Sequence, residues 1–338
     1  MPPGEQHSSL FSANVDIYNG DFVNKRNQNI HCYYWKTSEK PRALLIISHG
    51  FTEHSMMYDS LATEMAKRGF FVFSHDHVGH GKSDGTRAFM NDMHDLVEDT
   101  LMHIKFVRKD YPDLPLFMCG HSLGGAVSLK TVLHKEIPLD GIVLIAPALK
   151  PNPETAGPWK IAATKLLSKY LPHFPIAFTD FSLACQNAQK VSQMDADPLM
   201  FHGYWKVRPV NCLLQSGEEI LRNCSDVKTP FLLLHGTMDK VCHVSGATEL
   251  FENTYPVNEH IEILRNCSDV KTPFLLLHGT MDKVCHVSGA TELFENTSTE
   301  DKSLKLYPNG YHCLLHEPDE IANDVFHRTV QWLDSRVQ

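Results

Sequence analysis

Short apolar runs alternate with amphipathic stretches along most of this chain, and this order constrains the fold more than any other feature of the sequence. A continuous apolar run such as Ala43–Ser48 suits a strand that is buried on both faces. A strand followed repeatedly by a helix is typical of α/β proteins. The sequence therefore predicts an α/β fold with a mostly parallel central sheet flanked by helices.

The predicted strands are Ile30–Trp35, Ala43–Ser48, Phe70–Ser74, Leu116–Cys119, Ile142–Ala146, Phe231–Leu234 or Phe274–Leu277, and Leu304–Tyr307. The predicted helices are Tyr58–Arg68, Met90–Lys109, Leu123–His134 and Glu320–Leu333. The alternation stops between Pro147 and Pro209, where prolines are frequent. We therefore expect a core made of residues 28–150 and 211–338, with a cap inserted at residues 151–210.

An apolar stripe at helical spacing marks the first part of the predicted cap. Its members are Trp159, Ala162, Ala163, Leu166, Leu167 and Tyr170. The stripe could pack a cap helix against the core. It could also rest on a membrane surface, with Lys160, Lys165 and Lys169 directed at lipid headgroups. The sequence leaves both interpretations open.

Charge and apolar content limit the partners of the chain. The net charge is −9 over 338 residues, without a run of Lys and Arg, which argues against nucleic acid as a partner. No apolar run approaches the roughly 20 residues that span a bilayer, and the N-terminus lacks the features of a signal peptide. We expect a protein of the cytoplasm, in solution or on membrane surfaces, whose nine cysteines are free thiols.

One segment of the sequence occurs twice without a difference. Residues 219–254 reappear as residues 262–297, at an offset of 43 positions. Structural repeats diverge in sequence and need about three copies to bury a continuous face, so two identical copies indicate a tandem duplication instead. The duplication gives the chain two candidates for one strand and for the loop that follows it.

A candidate nucleophile follows the predicted strand Leu116–Cys119. The sequence Gly120-His-Ser-Leu-Gly124 matches G-x-S-x-G and leads directly into a predicted helix. In this context the serine lies on a sharp turn, with glycines two positions away that leave room for the neighbouring elements. The N-terminus of the helix favours negative charge beside the serine. We therefore predict Ser122 as the nucleophile.

A serine nucleophile needs a histidine base that is held by an acid. In hydrolases with G-x-S-x-G these two residues follow later strands. Asp239 and Asp282 follow the two copies of the apolar strand, and His312 follows the last strand. Loop closure to His312 slightly favours Asp282, which we expect in preference to Asp239. The longer helix that precedes the first copy favours Asp239. The two copies could also lie in the sheet as consecutive strands, and in that arrangement the last strand pairs beside the second copy and Asp282 again faces His312.

Acyl transfer also needs N–H donors for the oxyanion. The residue after the nucleophile supplies one donor, which is Leu123. The second comes from the loop after an early strand, and the turn His49-Gly50-Phe51 predicts the N–H of Phe51. This chemistry requires no cofactor.

A competing motif is His75-x-His77-x-x-His80, which has the spacing of a binuclear metal site. The position before the third histidine, where such sites carry an aspartate ligand, is Gly79. We therefore expect a glycine-rich turn and no metal at these histidines.

Together these motifs resemble the serine hydrolases of the α/β-hydrolase fold, and they closely resemble the monoacylglycerol lipase family. The resemblance rests on SHGFTEHSMMY, SHDHVGHGKSDG, GHSLGG, the Asp-Pro-Leu after Ala196, FLLLHGTMDKVC and YHCLLHE, and it covers about residues 28–330. It implies cofactor-free cleavage of a monoacylglycerol to glycerol and fatty acid by Ser122, an aspartate and His312. It also implies a cap that contacts membranes, and a cysteine, Cys242 or Cys285, near the bound substrate.

Fold and triad do not fix the leaving group, so another carboxylesterase or a thioesterase is an alternative. A catalytically inactive binding protein is a second alternative if the duplicated segment displaces the acid and the histidine.

Overall fold

A nine-stranded, mostly parallel sheet forms the body of the protein in the described part of the chain. The structure is a computed structural model that describes residues 14–153, 156–183, 185, 187–235, 239, 241–254, 274–279, 302–307 and 319–336. Its strands are β1 (Asp16–Val23), β2 (Asn29–Lys36), β3 (Ala43–Ser48), β4 (Phe70–His75), β5 (Leu116–His121), β6 (Gly141–Ile145), β9 (Phe231–His235), β10 (Phe274–Gly279) and β11 (Lys302–Tyr307). The predicted α/β class is confirmed.

The strands lie in the order β1-β2-β4-β3-β5-β6-β9-β10-β11. β2 is antiparallel to both of its neighbours, and every pair from β4 onward is parallel. The helices are α1 (Asp59–Lys67), α2 (Met93–Arg108), α3 (Leu123–His134), α4 (Pro158–Tyr170), α5 (Ala188–Ala196), α6 (Val207–Arg222), α7 (Val244–Thr254) and α8 (Asp319–Asp334). A small antiparallel two-stranded sheet of β7 (Pro175–Phe178) and β8 (Tyr204–Lys206) is separate from the main sheet.

Two buried apolar clusters cover the two faces of the sheet. Alternate residues of β3 divide between them, with Leu44 and Ile46 in one cluster and Leu45 and Ile47 in the other. Residues of α2, α3 and α6 join the first cluster, and residues of α1 and α8 join the second. A strand that buries both faces has no polar alternation, which explains the continuous apolar runs of the sequence.

Both copies of the duplicated segment contribute a strand to the sheet. β9 belongs to the first copy and pairs with β6, while β10 belongs to the second copy and pairs with β9 and β11. The pairing of β10 with β9 places Leu276 beside Leu233, its counterpart in the other copy. The arrangement of two consecutive strands, predicted as one of three possibilities, is therefore confirmed.

The described part of the chain contains no helix long and apolar enough to cross a membrane. The strand β1 is absent from the prediction, and it extends the sheet to residues before the expected start of the core at residue 28.

Candidate active site

Ser122 lies on a strained turn between β5 and α3. Its backbone has φ +50° and ψ −112°, a left-handed conformation that is unfavourable for a residue with a side chain. A Cβ atom at Gly120 would clash with the carbonyl oxygen of Gly124, and one at Gly124 would clash with that of Ser48. The two glycines therefore let β5, α3 and β3 approach closely enough to hold this turn. The helix α3 begins at Leu123, so its N-terminus lies at the serine.

The two predicted oxyanion donors are on segments that pack against each other. Gly124, on the turn of Leu123, packs against the backbone of His49, which lies beside the Phe51 segment. The position of a Cβ at Gly50 is 3.0 Å from Nδ1 of His121. In the described part of the chain, no hydrogen bond is formed by the backbone N–H of Phe51 or of Leu123. Both donors are thus available to an oxygen atom of a bound substrate.

Asp239 lies in a loop that contacts Ser122, the predicted nucleophile. Its Oδ1 accepts hydrogen bonds from the backbone N–H groups of Val241 (2.7 Å) and Cys242 (2.9 Å). Its Oδ2 is 3.1 Å from Nε2 of His235, and the residue is 2% exposed. The Sγ of Cys242 is 4.0 Å from Oγ of Ser122. The first copy therefore places Cys242 beside Ser122, and its buried Asp239 carboxylate is hydrogen-bonded to the backbone N–H of that cysteine.

The beginning of the predicted cap fixes the same loop. Asn152 donates a side-chain hydrogen bond of 2.6 Å to the carbonyl oxygen of Asp239, and its backbone N–H bonds to the carbonyl oxygen of Val241 at 3.1 Å. Pro151 forms an isolated antiparallel bridge with Cys242. Burial raises the pKa of the Cys242 thiol to about 12, so this cysteine stays protonated beside Ser122.

Asp282, His312 and Cys285 lie outside the described residues, so their predicted roles stay predictions. The sequence reasoning missed Glu53, which is buried and close to the nucleophile turn. Glu53 Oε2 accepts a hydrogen bond of 2.7 Å from the hydroxyl of Tyr58, and Oε1 is 3.1 Å from Nδ1 of His121. In the sequence, the one signal for Glu53 is its position three residues after Gly50, beside the predicted oxyanion loop.

The three histidines of the metal-like motif are buried and make separate hydrogen bonds. Nδ1 of His75 is 3.1 Å from Nδ1 of His103, and Nε2 of His77 is 3.0 Å from Oγ of Ser48. Nδ1 of His80 is 3.0 Å from the carbonyl oxygen of Val78. Within the described ranges, no three His, Cys, Asp or Glu side chains are arranged to hold a metal ion.

These histidines predict a loss of stability in acid. Burial lowers the pKa of His75 and of His80 to about 3, and it also lowers the pKa values of His49, His77 and His103. The unfolded chain binds protons at these histidines below about pH 6.5, while folded His75 and His80 stay neutral until about pH 3. Between pH 6.5 and 5.5 we expect the free energy of unfolding to fall by about 1 kcal/mol for each such histidine.

Urea unfolding at a series of pH values measures this slope. His80→Gln should flatten the dependence of the unfolding free energy on pH by about the contribution of one histidine. An equal pH dependence in the wild-type protein and the variant would show that His80 does not change its protonation on unfolding.

The apolar stripe of the cap points mainly to solvent. Trp159, Leu166 and Tyr170 of α4 are 72%, 64% and 66% exposed, while Thr164 and Ser168 on the opposite side are buried. The predicted helical spacing of the stripe is confirmed by α4, but the interpretation that Trp159, Leu166 and Tyr170 pack on the core is wrong. Further exposed apolar side chains lie on the two-stranded sheet of β7 and β8 and just before β7, namely Phe174, Ile176, Phe178 and Tyr204.

Comparison with known proteins decides the family. The family model described as serine aminopeptidase, S33, matches residues 39–267 and 257–319. Monoglyceride lipase of Rattus norvegicus is 35% identical over 315 residues, which cover 93% of this chain and 90% of that protein. The chain belongs to this family of serine hydrolases. It resembles monoglyceride lipase of Homo sapiens to the same degree, with 35% identity over 93% of the chain and 89% of the human protein.

Solved structures agree with this family at the level of the fold. A soluble variant of monoglyceride lipase from Saccharomyces cerevisiae in complex with a substrate analog superposes with a TM-score of 0.70 at 19% identity, over 100% of this chain and 99% of that chain. A carboxyl esterase from Bacillus coagulans in complex with glycerol gives a TM-score of 0.69 at 19% identity, over 95% and 99% of the two chains. These structures confirm the predicted α/β-hydrolase fold. The family model and the sequence relatives confirm the predicted class of carboxylic ester hydrolases.

Proposed function

We propose that this hydrolase cleaves monoacylglycerols to glycerol and a free fatty acid. The observation that carries the proposal is the strained turn of Ser122 in a chain that is 35% identical to proteins named monoglyceride lipase. Two backbone N–H groups on adjoining segments form no hydrogen bond among the described residues. A serine in this setting is suited to attack on an acyl carbonyl group. The relatives indicate the glycerol ester as the substrate class.

The proposed reaction has two halves. His312 takes the proton of the Ser122 hydroxyl, and Oγ forms a bond to the acyl carbon of the ester. The N–H groups of Phe51 and Leu123 stabilise the negative charge that develops on the carbonyl oxygen. The bond to the glycerol oxygen then breaks, and that oxygen receives the proton from His312. A water molecule cleaves the acyl-enzyme by the same steps and releases the fatty acid.

We further propose Asp239 as the acid that orients His312. Neighbouring strands of a sheet lie about 4.8 Å apart, so β9 is roughly 10 Å from β5, while β10 is roughly 14 Å away. The loop after β9 carries Cys242, whose Sγ lies 4.0 Å from Oγ of Ser122. These relations support the first copy as the source of the acid. In this assignment Cys242, and not Cys285, is the cysteine near the substrate.

Incubation with a long-chain monoacylglycerol tests the substrate. We expect glycerol and fatty acid in equal amounts, and labelling of the protein by a fluorophosphonate probe, which reacts only with an activated serine. Labelling without cleavage of the monoacylglycerol would reject the substrate and retain the serine hydrolase. Absence of labelling in the folded protein would instead indicate that the duplication has disrupted the triad.

The exposed apolar surface of the cap supports a second part of the proposal, peripheral contact with the cytoplasmic surface of a membrane. Trp159, Leu166 and Tyr170 would enter the boundary between headgroups and acyl chains, which is where a monoacylglycerol lies. The lysines contribute unequally, because Lys165 pairs with Glu218 at 2.7 Å. Lys160 and Lys169 lie against the rings of Trp159 and Tyr170 and accompany them to the surface.

Removal of this surface should separate two activities. We expect Trp159→Ser with Leu166→Ser to weaken binding to lipid vesicles by about tenfold or more, since each side chain buries apolar area in the lipid. Hydrolysis of vesicle-borne monoacylglycerol should fall in parallel, while hydrolysis of a short soluble ester should be unchanged. Phe106→Ser is the matched control, because Phe106 is also exposed but lies on α2. Equal losses on both substrates would indicate a structural role for α4.

A further inference from the structure

Gly50 is held on both sides by the side chains of its neighbours. Its backbone N–H donates a hydrogen bond of 2.7 Å to Oε2 of Glu53. Its carbonyl oxygen accepts a hydrogen bond of 2.8 Å from Nδ1 of His49. Each of the two peptide groups that flank Gly50 is therefore fixed by one side chain. The second of these groups joins Gly50 to Phe51 and carries the proposed oxyanion donor.

The ring of His49 is itself fixed in one tautomer. The carbonyl oxygen of Gly50 can only accept, so Nδ1 carries the proton, and Nε2 accepts a hydrogen bond of 3.0 Å from the backbone N–H of His77. The residue is 0% exposed, and burial lowers its pKa, so the ring is neutral at physiological pH. His49 thus presents one donor and one acceptor, and both are in use.

The peptide groups beside residue 50 depend on the hydrogen bonds of His49 and Glu53 because this residue is a glycine. A Cβ atom there would lie 2.7 Å from Oε2 of Glu53 and 3.0 Å from Nδ1 of His121, so a larger side chain does not fit. Glycine has more backbone freedom than any other residue, and an unsupported peptide group beside it can turn over. In a trans peptide the C=O and N–H point in opposite directions. The direction of the Gly50 carbonyl therefore sets the direction of the Phe51 N–H.

We propose that His49 and Glu53 are positioning residues that hold the Gly50–Phe51 peptide group with its N–H directed into the oxyanion hole. The proposal rests on the proposed function, in which Phe51 supplies one donor. Glu53 also reaches the other donor segment, because its Oε1 is 3.1 Å from Nδ1 of His121, the residue before Ser122. One carboxylate thus links the loop of Phe51 to the turn of Ser122 and Leu123. A donor that is already oriented stabilises the oxyanion without reorganisation.

Two substitutions of His49 distinguish positioning from packing. In His49→Asn the amide nitrogen lies where Nδ1 was and can still donate to the carbonyl oxygen of Gly50. In His49→Gln the side chain is closer in volume and can reach the place of Nε2, but it loses the donor at the Nδ1 position. With a short soluble ester we expect His49→Gln to lower kcat by about 10- to 100-fold with KM nearly unchanged, and His49→Asn to retain most of kcat.

Thermal unfolding of the same variants shows whether a change in kcat comes from a loss of stability. If His49 only packed, His49→Asn would lose more stability and more activity than His49→Gln, because asparagine leaves the larger cavity in a buried site. Glu53→Met, which removes the acceptor, should lower kcat like His49→Gln, while Glu53→Gln keeps an oxygen for the Gly50 N–H and should recover much of it. A trifluoromethyl ketone forms a hemiketal with the serine hydroxyl, and this adduct carries an oxyanion. The affinity of each variant for this inhibitor should fall in proportion to its kcat.

The outcomes separate this inference from the proposed function. Wild-type ester hydrolysis with an unchanged kcat in His49→Gln would overturn the positioning role and leave the proposed function intact. A folded wild-type protein that hydrolyses no ester would overturn the proposed function and the positioning role with it. A fall of kcat in His49→Gln and its recovery in His49→Asn would support both.

Discussion

Ser122→Ala should abolish ester hydrolysis and leave the fold intact. The substitution removes the atom that forms the acyl-enzyme, and members of a catalytic triad act as a unit, so we expect turnover to fall by about 10⁴-fold or more. The alanine also has to adopt φ +50°, an unfavourable backbone conformation for either residue, so unfolding should change little. Initial rates with a short soluble ester and thermal unfolding measure the two effects.

Ser335→Ala is the matched control for this variant. Ser335 lies just after α8. Among the described residues, its hydroxyl forms hydrogen bonds with the neighbouring residues Trp332 and Arg336 only. It should retain full activity and full labelling by a fluorophosphonate. If Ser122→Ala keeps most of the activity, the nucleophile is another residue, and the strained turn of Ser122 does not serve to present a nucleophile.

Local patterns predicted the turn of Ser122 and the helix that follows it well, because the residues that determine them are close together in sequence. The predicted helix Leu123–His134 has the bounds of α3, and the glycines on either side of Ser122 are where the close approach of β5, α3 and β3 requires them. Strands buried on both faces were equally clear, since their apolar runs need no knowledge of neighbours. The strand β1 was missed because it lies at the edge of the sheet, and its sequence DIYNGDFV is mostly exposed.

Features that depend on distant contacts were not predictable in the same way. The spacing of Trp159, Leu166 and Tyr170 showed that they share one face of a helix, but a periodic pattern does not say whether that face meets the core or solvent. The hydrogen bonds of His49 and Glu53 to Gly50 depend on the path of a turn, and the contact with His121 joins two segments 68 residues apart. Such contacts require the tertiary structure.

The duplication illustrates the same limit. Two identical segments have the same intrinsic preference for a strand, so only the order of strands in the sheet distinguishes them. β9 and β10 lie side by side, and Leu276, Leu277 and His278 pair with their counterparts in the first copy. The sheet accepts both strands because a parallel strand has backbone groups to pair on each of its two sides. Loop-closure entropy favoured Asp282 over Asp239 by under about 1 kcal/mol, too little to decide between them.

The assignment of Asp239 as the acid of the triad leads to a prediction for which the second copy provides the control. Asp239 and Asp282 lie in identical local sequences, so the same substitution can be made in each copy. We expect Asp239→Asn to lower kcat by about 10⁴-fold, because an amide in place of the carboxylate favours the wrong tautomer of the histidine base. The loop of Asp239 touches Ser122 through Cys242, whereas the second copy begins one strand farther from β5. Asp282→Asn should therefore retain most of the activity.

Initial rates across pH, together with thermal unfolding, separate the possible results. Asp239 is buried and accepts hydrogen bonds from Val241 and Cys242, so its replacement also costs some stability, and the rates must be compared per folded molecule. The opposite pattern, with Asp282→Asn inactive and Asp239→Asn active, would show that the second copy supplies the acid despite the greater distance of its strand. Partial losses of similar size in both variants would mean that the identical strands exchange places next to β6, since in-register copies make either order of pairing possible.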